Sequence, residues 1–305
     1  LPQMTTIKTP NVTWLDIKNP SPKELKYLSE NYNIHQVIID GLEKPTVRSR
    51  AEELNGYIYL VMHFPVFNET KKISEPVEID FILTPDTLIS VRYEALEPLE
   101  EFLKKCKSIN SAHKKNMMNK SSIYLFHHIV KNIYEFASRQ LDHVDEKIND
   151  IEEAIFSGHQ KEMLLALSLA RSDVLNFLRT IKPQDSVLES LLARADFFEK
   201  NAKPYIIDLL GEQHRVLNQA ENNRETIEGL QTTNASLLEH RTNEVMKVLT
   251  IITFIALPLT LIANVFGMSS KNLPMVDRPY FFWIILCIMA ASIGGFIMIF
   301  KHKKW

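Results

Sequence analysis

Two uncharged, strongly apolar runs in the last quarter of the chain constrain its fold more than any other feature. No residue carries a charge at positions 248–270 or at positions 279–300. Each run reaches the roughly 20 residues that an α-helix needs to span about 30 Å of hydrocarbon. The sequence therefore predicts a transmembrane helical hairpin, with a first span at 248–270, a connecting loop at 271–278 and a second span at 279–300.

The average composition hides this hairpin. Hydrophobic residues make up 45% of the 305 residues, charged residues make up 24%, and the formal net charge is −2. These values are ordinary for a soluble globular protein. The near-neutral charge gives no reason to expect nucleic acid as a partner.

Charges at the ends of the spans predict their orientation. Lys301, Lys303 and Lys304 follow the second span in a basic tail at 301–305. By the positive-inside rule, both termini face the cytoplasm and the loop 271–278 faces outside. The loop carries Lys271 and Arg278, against the rule, but the large charged domain before the first span outweighs them.

Residues 1–95 predict a small α/β domain with a mixed or antiparallel sheet. Segments 57–67, 77–83 and 88–91 are rich in Ile, Val, Phe and Tyr, and turn residues bound them. Ser21 before Pro22 predicts the start of a short helix that ends near residue 30. The sequence contains no Gly-rich phosphate loop, nucleophile elbow or repeat, so we expect neither an enzyme nor an organic cofactor.

After residue 95, apolar residues recur at helical spacing. This pattern predicts a helical region at 96–203, with helices at 121–157, 159–181 and about 185–200. No proline occurs between Pro204 and Pro258, so one helix can form a stalk at 204–247 and continue into the first span. Its polar part carries a narrow apolar stripe, which we expect to face the axis of an oligomer. The stripe consists of Val216, Leu217, Ile227, Leu230, Leu237 and Leu238.

One side of the first span carries polar and unbranched residues at the α-helical period. A single hairpin encloses no pore, so transport requires several subunits that each contribute this side to a shared axis. Amide oxygens at both ends suit Mg²⁺, which gives up its waters reluctantly. The alternative is that the polar residues hold helices together and that Met and Leu fill a core. The predicted pore-lining residues are Asn243, Met246, Leu249, Thr253, Leu257, Thr260 and Asn264.

The first span resembles that of the CorA family of divalent-cation transporters. The resemblance is carried by the sequence at 242–252, by 257–263, by Phe266-Gly267-Met268 and by the basic ending at 301–305. It implies a funnel-shaped homopentamer in the plasma membrane of a prokaryote. Each subunit would have an α/β cytosolic domain, long helices and a two-span transmembrane hairpin, and Mg²⁺ would be both the transported and the regulatory ion.

The outer mouth departs from the family pattern. Relatives carry a Gly-Met-Asn signature, whereas this chain has Gly267, Met268 and Ser269. A serine hydroxyl is shorter than an amide, so a ring of serines would be wider and would hold a hydrated ion differently. Relatives usually have Gly where this chain has Asn264, and one hypothesis is that Asn264 supplies the amide ring one and a half turns deeper. The alternatives are a loss of selectivity and a divergent or engineered mouth.

The resemblance also implies a regulatory Mg²⁺ site between the cytosolic domains of adjacent subunits. Asp208 matches the family's carboxylate on the long helix, and Glu97 or Glu100 is the candidate for the second carboxylate. Two carboxylates that share a divalent ion would make the closed interface depend on cytosolic ion concentration. Each carboxylate alone is equally consistent with a solvated side chain.

These inferences favour a divalent-cation channel or transporter with Mg²⁺ as the preferred ion and without catalytic residues. A transporter for Zn²⁺ or another divalent cation of the same superfamily stays open. The reason is that the loop residues Lys271, Asp277 and Arg278 sum to about +1, whereas relatives often have an acidic loop that concentrates cations. A membrane-anchored, metal-sensing oligomer without transport also stays open.

Overall fold

The structure is a computed structural model that describes residues 4–54, 56–107, 120–198, 201–267 and 280–302. It divides into two units, Leu1–Gln231 and Thr232–Trp305, and the division falls within one long helix. The first unit contains a sheet and the helices around it. The second contains the two apolar segments.

Six strands form a single mixed sheet in the order β1-β2-β6-β5-β4-β3. Among the described strand pairs, β2 and β6 run parallel and the others run antiparallel. The sequence predicted a mixed or an antiparallel sheet, and the observed sheet is mixed. The strands are β1 (Met4–Lys8), β2 (Thr13–Lys18), β3 (Arg50–Leu54), β4 (Tyr57–Asn68), β5 (Ile73–Leu83) and β6 (Thr87–Arg92).

The hairpin of β4 and β5 is longer than the sequence predicted. Strand β5 begins at Ile73, before Pro76, and Pro76 pairs with Pro65 of β4. Neither proline has an N–H to donate, so this pair fits the non-hydrogen-bonded position of an antiparallel ladder. The prolines are thus accommodated inside the hairpin, where the sequence had suggested a strand boundary.

The helices of the described ranges agree broadly with the predicted pattern. They are α1 (Pro22–Tyr32), α2 (Gln36–Gly41), α3 (Glu97–Lys107), α4 (Ser122–Phe156), α5 (Met163–Ile181), α6 (Gln184–Ala193), α7 (Ala202–Gly267) and α8 (Phe281–His302). The helix predicted at about 185–200 ends early, at Ala193. Arg194 leaves helical geometry with φ −103° and ψ 13°, and a 3₁₀ turn, Ala195–Phe197, follows.

The sheet is covered by helices on both faces. On one face, Leu15 and Ile17 of β2 belong to the core cluster that includes Leu28 of α1 and Ile38 of α2. On the other face, aromatic rings join the sheet to α3 and α4. Phe81 packs edge-on against Phe126 with ring centroids 5.0 Å apart, and Trp14 packs likewise against Phe102 at 5.8 Å. Such pairs add stability beyond the area that they bury.

Helix α4 packs along the first half of α7, and the two helices run in the same direction. Ser138 bonds to Gln219 at 2.8 Å, and Asn223 bonds to the carbonyl oxygen of Leu141 at 3.3 Å. Buried positions of α7 alternate by four and three residues, the spacing of a coiled-coil seam. They are Ala202, Ile206, Leu209, Gln213, Val216, Ala220, Asn223, Ile227, Leu230 and Asn234.

This packing corrects one expectation from the sequence. Val216, Ile227 and Leu230 of the predicted oligomer-facing stripe are buried within the chain itself. The reason is that α4, with 35 residues, supplies the partner surface that the stripe needs. The periodicity identified the buried side of α7 but not the helix that covers it.

A carboxylate network lies buried in the sheet. Asp80 accepts hydrogen bonds from the hydroxyl groups of Tyr59 at 2.8 Å and Tyr93 at 2.9 Å, and its side chain is fully buried. Burial raises the pKa of Asp80 to about 7, and the nearby charge of Glu78 adds to the rise, while the tyrosine hydrogen bonds oppose it. Asp80 therefore holds a proton in the folded state at pH values where it would be ionised in the unfolded chain.

We expect thermal stability to fall as pH rises from about 4 to about 7. The folded-state pKa of Asp80 lies above its unfolded value, so the stabilisation is full below about pH 4 and is lost as pH rises through about 7. The loss per pH unit within this window is at most about 1.4 kcal/mol. Unfolding of the purified chain followed by circular dichroism measures it. Asp80→Asn should remove most of this dependence of stability on pH. The control Glu43→Gln changes an exposed carboxylate and should retain the dependence. The same pH dependence in the unsubstituted protein and in both variants would contradict the assignment.

Candidate pore face and regulatory carboxylates

The seven predicted pore-lining residues lie on one side of α7 and are all exposed in the single chain. Leu257 is 65% exposed and Met246 is 54% exposed. At about 100° per residue, the opposite side of the helix carries the partly buried residues Ile251, Ile255 and Ile262. Val248 and Ile252, which lie outside the stripe, are as exposed as the stripe residues, so the stripe is distinguished by its polar and unbranched side chains and not by its exposure.

Two threonine hydroxyls on the stripe bond to their own helix. Thr253 donates to the carbonyl oxygen of Leu249 at 2.9 Å, and Thr260 donates to that of Ala256 at 2.8 Å. This i to i−4 bond satisfies the hydroxyl proton, as is common for Thr in apolar helices. The lone pairs of each hydroxyl oxygen can then accept hydrogen bonds from water or from a hydrated cation.

The outer-mouth signature is only partly within the described residues. Gly267 is the last residue of α7, and Asn264 lies in its final turn with an exposed side chain. Met268 and Ser269 lie outside the described residues. The position of Asn264 on the same side as Thr260 and Leu257 agrees with its predicted place on the stripe.

Both apolar segments are helices, but within the described residues only the one in α7 reaches the length of a membrane span. Within the described residues, α7 contains a window of mean hydropathy 2.3 and is long enough to cross a bilayer. The second segment is a shorter apolar helix, Phe282–Met298. Pro258 lies inside α7, and the helix continues past it.

Asp208, the first predicted regulatory carboxylate, forms an ion pair with α4 of its own chain. Its Oδ2 atom lies 2.8 Å from Lys131 Nζ and 2.7 Å from His127 Nε2, and its side chain is 46% exposed. Hydrogen bonds from Lys131 and then His127 lower the pKa of Asp208. Lys131 also lies 3.4 Å from Glu212. The carboxylate is thus ionised and accessible, but a lysine already occupies one of its oxygens.

The two glutamates proposed as the second carboxylate differ in their surroundings. Glu100 lies 3.0 Å from Arg92 and 3.2 Å from Lys18, and hydrogen bonds from these two residues lower its pKa. Glu97 is exposed in the first turn of α3 and has no ion pair among the described residues. Both line an acidic cleft of ≈ 420 Å³ together with Glu69 and Glu101. Glu97 is therefore the freer of the two.

The structure does not bring these carboxylates together within one chain. Asp208 has its partners on α4, whereas Glu100 has its partners on β2 and β6. Within the part of the chain that the structure describes, no group of three or more His, Cys, Asp and Glu side chains is arranged to hold a metal ion. Sequence reasoning missed Lys131 and His127, because nothing in the sequence shows which α4 residues face Asp208.

Comparison with known proteins decides the family. The sequence profile described as "CorA-like Mg2+ transporter protein" matches residues 10–302. The chain belongs to this CorA-like family. The match covers five of the six described strands, from β2 onward, the long helices and both apolar segments.

Individual relatives agree with this membership. The chain is 24% identical over 298 residues to the cobalt/magnesium transport protein CorA of Thermotoga maritima, covering 96% of this chain and 83% of that protein. It is 24% identical over 301 residues to the protein of the same name from Methanocaldococcus jannaschii, covering 96% and 90%. The solved structure of the CorA magnesium transporter from M. jannaschii superposes with a TM-score of 0.83 at 20% identity, covering 95% of this chain and 90% of that one. The predicted fold class of the subunit is confirmed.

Arg92 should be essential for the stability of the domain that carries Glu100. Its guanidinium lies 3.1 Å from Asp16, and the two side chains are 6% and 4% exposed. Arg92→Gln leaves the buried Asp16 without its charge partner, which should cost about 3–5 kcal/mol. Denaturant unfolding followed by tryptophan fluorescence measures this loss.

The matched control is Lys18→Gln, which removes the other, half-exposed partner of Glu100. An exposed pair of this kind contributes at most about 1 kcal/mol. Equal destabilisation by the two variants would show that burial does not govern the strength of these ion pairs.

Proposed function

We propose that this chain is a subunit of a divalent-cation channel that transports Mg²⁺. The observation that carries the proposal is the stripe of polar and unbranched residues that runs along one side of α7 from Asn243 to Asn264. Membership of the CorA-like family and the names of the Thermotoga and Methanocaldococcus relatives support the same function.

The stripe forms a pore only when several copies surround one axis. In a funnel-shaped homopentamer, each subunit contributes Asn243, Thr253, Thr260 and Asn264 as rings of oxygen atoms. Such rings hold a hydrated Mg²⁺ through its waters, without the cost of removing them. Rings of Met246, Leu249 and Leu257 close the same pore by excluding water.

We place the channel in the plasma membrane of a prokaryote with both termini in the cytoplasm. Helix α8 ends at Lys301 and His302, and basic residues after a span favour the cytoplasmic side. The sheet and the helices around it then lie in the cytosol, where Asp208 and Glu97 meet the cytosolic ion concentration.

Ion flux into liposomes tests this function directly. Purified protein reconstituted under a Mg²⁺ gradient should admit Mg²⁺, detected by an enclosed fluorescent indicator. A bilayer that stays tight in the presence of correctly inserted protein would contradict the channel and favour an anchored metal sensor. Asn264→Ala should change the preference for Mg²⁺ over Co²⁺ by about fivefold or more, the effect of losing one hydrogen bond of ~1 kcal/mol.

The matched control for Asn264 is Asn222→Ala, because Asn222 is exposed on the soluble part of the same helix. This control should leave the preference unchanged. An unchanged preference in Asn264→Ala would remove Asn264 from the selectivity-determining residues while leaving the channel itself intact.

Gating is proposed to depend on Mg²⁺ shared by Asp208 of one subunit and Glu97 of the next. Asp208 fits this role because its carboxylate is ionised and half-exposed. A divalent ion must compete with the Lys131 ammonium for Oδ2, so Lys131 sets the Mg²⁺ concentration that is needed to fill the regulatory site. Losing the ion leaves like charges facing each other across the interface.

Substitutions of Asp208 and of Lys131 should change the protection that Mg²⁺ gives against protease in opposite directions. Asp208→Asn should abolish most of the protection of the cytosolic part. Lys131→Gln should lower the Mg²⁺ concentration for half-protection by about threefold to tenfold, because it removes a competing charge of ~1 kcal/mol. The control Asp196→Asn removes an exposed carboxylate that pairs with Lys203 at 3.1 Å, and it should behave as the unsubstituted protein. Identical titrations for all of these proteins would rule out the site.

A further inference from the structure

The α2–β3 segment, residues 42–49, joins a helix to an edge strand and has no regular secondary structure. Leu42 at its start is fully buried, whereas Val47 is 94% exposed. In the part of the chain that the structure describes, every hydrogen bond from residues 45–49 to the sheet involves His63 or Glu78. The attachment of this segment therefore depends on two titratable side chains.

His63 of β4 lies directly opposite Glu78 of β5 in the ladder. Glu78 Oε2 accepts hydrogen bonds from the amide of Thr46 at 2.5 Å and from its hydroxyl at 3.2 Å. His63 Nε2 lies 2.9 Å from the carbonyl oxygen of Thr46 and 3.0 Å from Glu78 Oε2, and Ser49 Oγ lies 2.9 Å from His63 Nδ1. Both neighbours of Nε2 are acceptors, so Nε2 carries a proton whether the ring is neutral or charged.

A second contact holds the start of the α2–β3 segment. The hydroxyl oxygen of Tyr93 lies 3.2 Å from the carbonyl oxygen of Leu42 and 2.9 Å from Asp80 Oδ2. The hydroxyl has one proton for these two acceptors, and burial raises the pKa of Tyr93, so it keeps that proton. A carboxylate is a stronger acceptor than a neutral carboxyl group. Ionised Asp80 therefore draws the proton away from Leu42, and protonated Asp80 leaves it available.

The protons of Asp80 and His63 leave in the same direction of pH. Asp80 and Glu78 are two residues apart on β5, and a hydrogen bond between their carboxyl groups adds to the burial that raises the pKa of Asp80 to about 7. Such a bond requires a proton. Burial alone would lower the pKa of His63, but its hydrogen bonds to Glu78 and Thr46 outweigh burial and raise the pKa. Both raised pKa values mean that stabilisation is lost as pH rises.

Loss of both protons leaves two carboxylates in this buried cluster without a positive ring beside them. Other charged and titratable groups approach it from the neighbouring elements. The hydrogen bonds and ion pairs of the described residues join none of the arginines among them to Glu78 or Asp80. The groups are Arg48 of the α2–β3 segment, Arg50 of β3, Tyr59 of β4, Glu75 of β5, Glu94 after β6 and Arg179 of α5.

Strand β4 is held from the side of the helices independently of the α2–β3 segment. Gln184 of α6 is fully buried. Its amide donates to the backbone carbonyl oxygen of His63, and its side-chain oxygen accepts from the hydroxyl of Tyr134. None of these atoms takes part in the contacts with Thr46 or Ser49. The segment can thus leave the sheet while the strand stays in place.

From this arrangement we propose that the α2–β3 segment is a proton-controlled strap. It lies on the sheet while Asp80 and His63 hold their protons, and it is released when they lose them. Release admits water to Glu78 and Asp80, which solvates two carboxylates that would otherwise be buried side by side. The device is separate from the proposed ion pathway and from Asp208.

Hydrogen–deuterium exchange of the full-length protein in detergent micelles tests the proposal. Chelator removes divalent metal, so the outcome does not depend on transport or gating. From about pH 5 to about pH 8, amide protection in residues 42–49, corrected for the intrinsic effect of pH on exchange, should fall by about tenfold or more. At each pH the segment should be at least about tenfold less protected than β2, because it opens without the sheet.

Three variants separate the roles of the residues. Asp80→Asn should remove most of the pH dependence in the segment. The control Glu94→Gln changes an exposed carboxylate next to Tyr93 and should retain it. Thr46→Val removes one hydroxyl bond to Glu78 and leaves the buried titratable groups intact. It should lower protection of the segment by about fivefold at every pH and keep the pH dependence, which tests the contact even if Asp80→Asn folds poorly.

Three outcomes would overturn the assignment. Protection in residues 42–49 that does not change with pH would exclude the strap. Equal protection of the segment and of β2 at every pH would show that the segment opens only when the sheet unfolds. Undiminished pH dependence in Asp80→Asn, or unchanged protection in Thr46→Val, would show that these contacts do not hold the segment.

Discussion

The parallel packing of α4 along α7 is the constraint on which the soluble unit depends. A helix of 66 residues with a hydrophobic seam cannot remain exposed in water, and α4 covers that seam with residues at the same alternating spacing. The packing also fixes the chemistry of Asp208, because it sets Lys131 and His127 opposite it. A single interface thus supports the stalk and determines the charge around the proposed regulatory carboxylate.

Sequence patterns predicted the long elements well and the short ones poorly. The apolar runs, the uninterrupted stalk and the strand at 57–67 depend on patterns repeated over many residues, and the structure has each of them as a helix or strand over the residues that it describes. Strands β1 and β3 have only five residues each and carry Thr, Lys or Glu, so their patterns are too short to stand out. They exist because neighbouring strands pair with them, which is a tertiary effect.

At the candidate site, too, the sequence predicted local features but not the contacts between distant residues. The stripe from Asn243 to Asn264 follows from one helix and could be read directly, and the family resemblance located Asp208. The partners of Asp208 lie 77 and 81 residues earlier in the chain, and no local pattern joins such distant positions.

The pairing of Pro65 with Pro76 has a consequence for assembly. Beyond Val61 of β4 and before Ile79 of β5, the hairpin extends past its neighbouring strands, and helix side chains bond to part of its edges: Asp173 accepts from the amide of Ser74, and Gln184 donates to the carbonyl oxygen of His63. Each proline removes an outward-pointing N–H from one of these edges, and a strand from another chain would find no donor at that level. In an oligomer of the kind proposed above, the sheets of neighbouring copies would thereby be kept from pairing at this level.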